Sequence, residues 1–240
     1  MGLQDLDLDY SGLVGADVVI TCGLDPVEMP ADALASKLVQ DVPPRQLAAL
    51  TSHWPVSRNL PERAPHHERA AAVLTPLYES DAVPLSGPRA ALHLSGALPE
   101  GGIVVADPGP SGFWLARAFP TSTPESLCVP ATYTPGFAAA AAFVCAVEGR
   151  PVIAVTDQGD LDDDLDTMTA QVLEVAESLD KSLALQLWGP LGQLSGSTAH
   201  VELSRAGLEA EGVVLSDVPV RTTEMSEIVD VLGETVAWSD

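Results

Sequence analysis

Asp157, Gln158, Gly159 and Asp160 close the segment "PVIAVTDQGD", an apolar run of strand character that ends in a polar, glycine-containing turn. Such a turn suits hard-cation or phosphate chemistry. A carboxylate offers Mg²⁺ a charged oxygen, and the free amides of a following helix face an anion. Asp160, Asp162, Asp163, Asp164 and Asp166 crowd the next few positions. They lack the glycine and closing glutamate of a calcium loop. Aspartates at a helix start cap it and complement its dipole, so the run reads as an acidic helix entrance. Two further turns follow apolar runs in the same way: Asp107 to Gly112 in "VVADPGPSG" and Trp188 to Gly192 in "LWGPLG".

The elements that must position these turns alternate regularly from residue 85 onward. "LSGPRAALHLSGALPEG" predicts an amphipathic helix with Ser86 or Gly87 as cap and Pro88 in its first turn. "GGIVVAD" predicts a buried strand, and "PGFAAAAAFVCAVEG" a helix apolar on nearly every side and therefore interior. "RPVIAVT", "SLALQLW" and "VVLSDV" predict three more strands. Between the first two of these lies a helix over 165–179, facing the core through Leu165, Met168, Val172, Val175 and Leu179. "TTEMSEIVDVLGE" closes the chain as a helix. This alternation specifies an α/β fold, a parallel sheet with helices on both faces. Ligands of such sheets sit beyond the carboxyl ends of the strands. Upstream, Asp17 to Thr21 predicts a strand before a glycine turn, and residues 41–66 are proline-rich and irregular, which suits a linker.

Charge narrows the partners. Lys and Arg total 11 against 34 Asp and Glu, for a formal net charge of -23. Such a surface repels nucleic acid and anionic membrane. An anionic cofactor would need backbone amides, a helix N-terminus or a metal, because cationic side chains are scarce. No apolar run approaches the roughly 20 residues of a membrane span. "MGLQDLDLDYSG" lacks the basic-then-apolar pattern of a signal peptide, so a cytoplasmic location is expected. Cys22, Cys128 and Cys145 are odd in number and widely separated, and are expected to be reduced and buried. His66 and His67 adjoin Glu68, but adjacent histidines point apart and no third ligand is evident. "GPSG" is not a nucleophile elbow, and "GPLGQLSG" lacks the Lys-Ser/Thr of a phosphate loop. His93 is expected at the margin of its helix, and His200 as a solvent-exposed helix residue.

The order and spacing of the turns resemble the C-terminal, diphosphate-binding domain of thiamine diphosphate enzymes of the acetolactate synthase and benzaldehyde lyase type. The likeness rests on "VVADPG" as a strand ending in Asp-x-Gly and on Pro135, Gly136 and Phe137 opening an alanine-rich helix. It continues through "PVIAVT" before a Gly-Asp-Gly-like turn and through "VRTTEMSEIVDVL" as the last helix. Upstream, "GADVVITCGLDPVE" is similar to the end of the family's central domain. The resemblance thus divides the chain into a remnant of a central α/β domain (1–40), a linker (41–84) and a cofactor-binding-like domain (85–240).

Carried over position by position, the resemblance makes Asp107, Gly109, Ser111, Gly136, Phe137, Asp157, Gln158 and Gly159 candidate contacts for thiamine diphosphate with Mg²⁺. Gln158 falls where the family has its metal-ligating carboxylate, with Asp157 as the neighbouring alternative ligand. The family's Asn-Asn pair falls on Trp188 and Gly189, so the metal motif is degenerate. The family's activating glutamate lies on a separate pyrimidine-binding domain, which this sequence does not contain. Two expectations follow, and both require a protein partner. The chain is either the diphosphate-domain half of a split decarboxylase or carboligase acting on 2-oxo acids, inactive alone, or a non-catalytic structural or regulatory subunit of the same fold.

Overall fold

The computed structural model describes residues 6–7, 18–23, 39–53, 65–121, 123–130, 134, 136–159, 167–222 and 225–233. Two compact units emerge, residues 74–226 and residues 2–73 with 227–240. In the smaller unit, β1 (Val19–Thr21) and β2 (Val39–Asp41) pair in parallel. The hydroxyl of Thr21 donates to Asp41 Oδ1 at 2.9 Å across the pair. Helices α1 (Pro44–His53) and α2 (Pro65–Glu79) follow, the first lying where irregular chain was expected over 41–66. Each begins on a proline, whose missing N–H costs nothing at a first helical position, so these prolines start helices instead of interrupting them.

The larger unit is built on six parallel strands: β3 (Leu85–Ser86), β4 (Ile103–Ala106), β5 (Leu127–Cys128), β6 (Val152–Asp157), β7 (Leu183–Gly189) and β8 (Val213–Arg221). Their spatial order is β3-β8-β7-β6-β4-β5. The expected α/β architecture is therefore present. Its central strands are buried on both faces, which is why they read as unbroken apolar runs. Val104, Ala106, Ile153 and Val155 face helices α3 (Gly87–Ala97), α4 (Pro110–Ala118) and α7 (Ala199–Glu209). Ile103, Val105, Val152 and Ala154 face α5 (Phe137–Val147) and α6 (Thr167–Ser178). Helix α8 (Met225–Leu232) is the last element.

Helix α3 starts where the sequence indicates. Ser86 Oγ accepts from the Arg89 amide at 3.2 Å and donates to the Leu77 carbonyl at 2.6 Å. Directly above lies Trp114, fully buried, whose indole N–H donates to the Thr222 carbonyl at 3.2 Å. A Cβ on Gly87 would collide with the Trp114 ring, so that glycine sets how closely α3 and α4 approach.

Three expectations fail here. Helix α5 is not interior: Ala138, Ala139 and Ala142 are buried, while Val144 is 60% exposed. The sheet covers one side of the helix, and Val144 and Val147 away from it are exposed. Helix α6 is present but rotated. Thr169, Leu173 and Ala176 are buried, whereas Met168, Val175 and Leu179 are exposed. Apolar residues lie on two of its faces, and the face bearing the smaller residues packs against the alanines of α5. The cysteines are free, as expected, but Cys128 is exposed on the short edge strand β5, and Cys22 and Cys145 are only half-buried. Among the described residues no helix is long and apolar enough to cross a membrane.

Substituting Gly87 by Ala is expected to destabilise the larger unit by about 1–3 kcal/mol, the usual cost of overpacking a filled core. Urea denaturation followed by tryptophan fluorescence checks this.

Candidate functional site

Strand β4 leads outward to β5 on one side, while β6 lies on its other side, so the carboxyl ends of β4 and β6 flank the switch point of the sheet. The ladder between them ends near Ala106 and Val155. Asp107 and Asp157 thus emerge side by side, and the Asp107 amide donates to the Val155 carbonyl at 3.0 Å. Asp107 Oδ1 accepts from the Ala138 amide at 2.8 Å, in the first turn of α5. Gly136, at a φ of 72°, makes the left-handed turn that aims this amide at the carboxylate. Asp157 Oδ1 accepts from the Ser111 amide at 2.9 Å, in the first turn of α4. Each strand-end carboxylate therefore complements the positive end of a helix from a neighbouring unit of the fold.

Glycine is needed for this closeness. A Cβ on Gly109 would collide with Asp157 Oδ2, and one on Gly112 with the Asp107 carbonyl. The structure thus brings together Asp107, Gly109, Ser111, Gly136 and Asp157. Phe137 stands half-buried at the start of α5, and Gly159 is exposed just past Gln158. Burial pushes the Asp157 carboxyl up to about 6, against the lowering effect of the Ser111 amide and hydroxyl, and the charge of Asp107 adds to the rise. Asp160 to Asp166 and Pro135 lie outside the described residues.

Gln158 continues the β6–β7 ladder, its amide donating to the Trp188 carbonyl at 2.8 Å. Its side chain turns toward the ends of β7 and β8. Oε1 accepts from the Leu191 amide at 2.8 Å. Nε2 donates into a group of three oxygens: Leu187 O at 3.3 Å, Leu191 O at 3.2 Å and Asp217 Oδ1 at 3.1 Å. A magnesium ion wants a near-octahedral shell of hard oxygens, usually with a carboxylate. Here the one side-chain oxygen of Gln158 is committed to an amide, and its other end presents N–H groups. Gly189 has no side chain, and Trp188 points inward, with its indole N–H donating to Gln186 Oε1 at 3.1 Å. Among the described residues no three His, Cys, Asp or Glu side chains are grouped to hold a metal. The residues present do not fit Mg²⁺.

Beneath the site lies a polar network that sequence reasoning missed. His200 is not exposed but fully buried, with Nε2 at 2.9 Å from Gln186 Oε1. Since Oε1 can only accept, that nitrogen carries the proton. Gln186 Nε2 donates to Ser204 Oγ at 2.9 Å, and Ser204 Oγ to the His200 carbonyl at 2.7 Å. His93 is buried as well, its ring centroid 5.6 Å from that of His200. Burial lowers His200 to about 3 and His93 to about 4, the latter helped by the nearby Arg89 charge and opposed by Asp81. The signal in the sequence was Gln186 itself, a polar residue mid-strand in "LALQLW" that had to find partners.

No known protein family and no curated protein matches the chain at the level of sequence. Solved structures do. A protein described as a thiamin diphosphate-dependent enzyme isolated from Mycobacterium smegmatis superposes with a TM-score of 0.61 at 15% identity, over 88% of this chain and 50% of its own. Benzoylformate decarboxylase from Polynucleobacter necessarius superposes with a TM-score of 0.62 at 14% identity, over 92% of this chain and 52% of its own. The chain therefore has the fold of thiamine diphosphate-dependent enzymes, and it spans about half the length of these structures.

The buried ionisable groups give two opposed pH effects. Unfolded histidine protonates near 6.5, whereas folded His200 resists protonation down to about 3. This contribution is intact above pH 6.5 and is lost as pH falls from there toward 3. Unfolded Asp157 ionises near 3.8 but folded Asp157 only near 6, so its ionisation costs stability as pH rises through that window. Asp157→Asn is expected to stabilise the protein by about 1–2 kcal/mol above pH 7, after allowance for solvent screening. The gain should vanish below about pH 4, and denaturant midpoints across this range check both the sign and the window.

Proposed function

We propose that this chain is a non-catalytic subunit with the thiamine diphosphate-enzyme fold, serving as the structural or regulatory partner of another chain. The observation that carries this reading is the Asp157 carboxylate on the Ser111 amide at 2.9 Å. A diphosphate lying at the β4 and β6 ends would meet a helix N-terminus already taken by the chain's own carboxylate, and would be repelled by it. The cofactor and metal assignments at Asp107, Gly109, Ser111, Gly136, Phe137, Asp157, Gln158 and Gly159 accordingly describe the shape of a site more than its chemistry.

A protein partner is part of this reading. The outward side of α5, with Val144 and Val147 exposed, is an apolar surface on which a partner could pack. A second reading, the diphosphate half of a split decarboxylase or carboligase, shares this need and is favoured by the retained Asp107–Ala138 bond and the left-handed Gly136 turn.

Native mass spectrometry of the protein purified with its associated chains from its source cells separates the readings. The expected result is a heteromer whose mass does not change when thiamine diphosphate and Mg²⁺ are supplied. A heteromer that retains thiamine diphosphate and a divalent metal would establish the split enzyme instead. A lone homo-oligomer would overturn both.

A further inference from the structure

We propose that Gln158 and Gly189 form a matched pair that closes the metal position, with the Gln158 carboxamide taking the cross-linking role that a cation would otherwise have. This rests on the non-catalytic reading and gives its physical basis. The Gln158 amide group sits among three oxygens, Leu187 O within β7, Leu191 O just past it and Asp217 Oδ1 in mid-β8. Gathering carbonyl and carboxylate oxygens around a positive centre is what a cation does at such a turn, and here two N–H dipoles do it. The carboxamide oxygen completes the brace by accepting from the Leu191 amide. β6, the turn after β7, and β8 are thereby tied together without any ion.

Gly189 makes the brace sterically allowed. A Cβ at that position would stand 2.5 Å from Gln158 Oε1, 2.8 Å from its Cβ and 3.0 Å from its Cδ. No side chain at 189 can coexist with Gln158 in this conformation. The backbone of Gly189 is not left-handed, so the demand for glycine comes from this contact and not from φ. An oxygen-bearing side chain at 189 and the folded-over glutamine at 158 therefore exclude each other, and the two departures from the metal motif are one structural change.

The test is a double-mutant cycle on the full-length chain with Gln158→Ala and Gly189→Ala, read by urea denaturation with and without 5 mM MgCl₂ against a matched NaCl control. Gly189→Ala is expected to lower the folding equilibrium constant of the wild type at least about tenfold, as overpacking does. In the Gln158→Ala background, where Oε1 and Cδ are gone and only the Cβ still crowds the position, the same substitution should cost at least about threefold less than in the wild type. Costs that agree within about twofold in the two backgrounds would overturn the pairing. Mg²⁺ should leave the wild-type midpoint at its NaCl value. A Mg²⁺-specific rise in the wild type that Gln158→Ala abolishes would overturn the closure.

The outcomes remain distinguishable from those of the preceding section. A heteromer that carries cofactor beside a strongly non-additive cycle would sink the non-catalytic reading and leave the pairing intact. An additive cycle in a cofactor-free heteromer would do the reverse.

Discussion

A parallel sheet delivers the carboxyl ends of its strands to one edge, and every polar group delivered there must find a partner as it leaves water. In this protein that requirement is met from within. Asp107 takes an amide of α5, Asp157 an amide of α4, and Gln158 main-chain groups of Leu187 and Leu191 together with the Asp217 side chain on β8. Sheets of this kind commonly leave such groups for a ligand. Here they hold the sheet edge together, and the helices α4 and α5 take their positions from that bonding. The chain has the fold of thiamine diphosphate enzymes, and the polar groups at its strand ends are bonded within the protein.

This bonding has an electrostatic side. A chain with net charge -23 has little cationic surface to spare. At Asp107 and Asp157 it sets helix N-termini, not lysine or arginine, against strand-end carboxylates. Asp157 is held by the Ser111 amide next to a second aspartate, which is why burial prevails and its carboxyl stays hard to ionise. The deeper network works oppositely. Gln186 accepts from His200 and Trp188 with one oxygen, and neutral imidazoles fill the space where charged groups would be costly.

Much of the architecture was legible because it rests on local signals. The buried strands β4, β6 and β7 are unbroken apolar runs, and α3 announces itself through Ser86 and Pro88. Of the candidate residues, Asp107, Gly109, Ser111, Asp157, Gln158 and Gly159 lie in turns that parallel-sheet topology singles out, and the bond between Ser111 and Asp157 is long-range. What failed to show was the information carried by contacts between distant segments. The face of α6 depended on the alanines of α5, and the burial of His200 on Gln186. Strands of two residues, β3 and β5, carry too little pattern to be seen. Nothing in a linear sequence says that the Gln158 carboxamide occupies the space a side chain at Gly189 would need.

The alanines of α5 also set a distance. Ala138, Ala139 and Ala142 are fully buried, and such small side chains let the helix axis approach β4 and β6 closely. The Ala138 amide that reaches Asp107 belongs to the same short stretch of backbone. The separation between helix and sheet, governed by methyl groups alone, therefore fixes whether a carboxylate one layer away is solvated or bonded. Side-chain volume in this alanine layer acts as a spacer gauge for the electrostatics of the strand ends, and the most featureless segment of the sequence sets the tolerance of its most polar one.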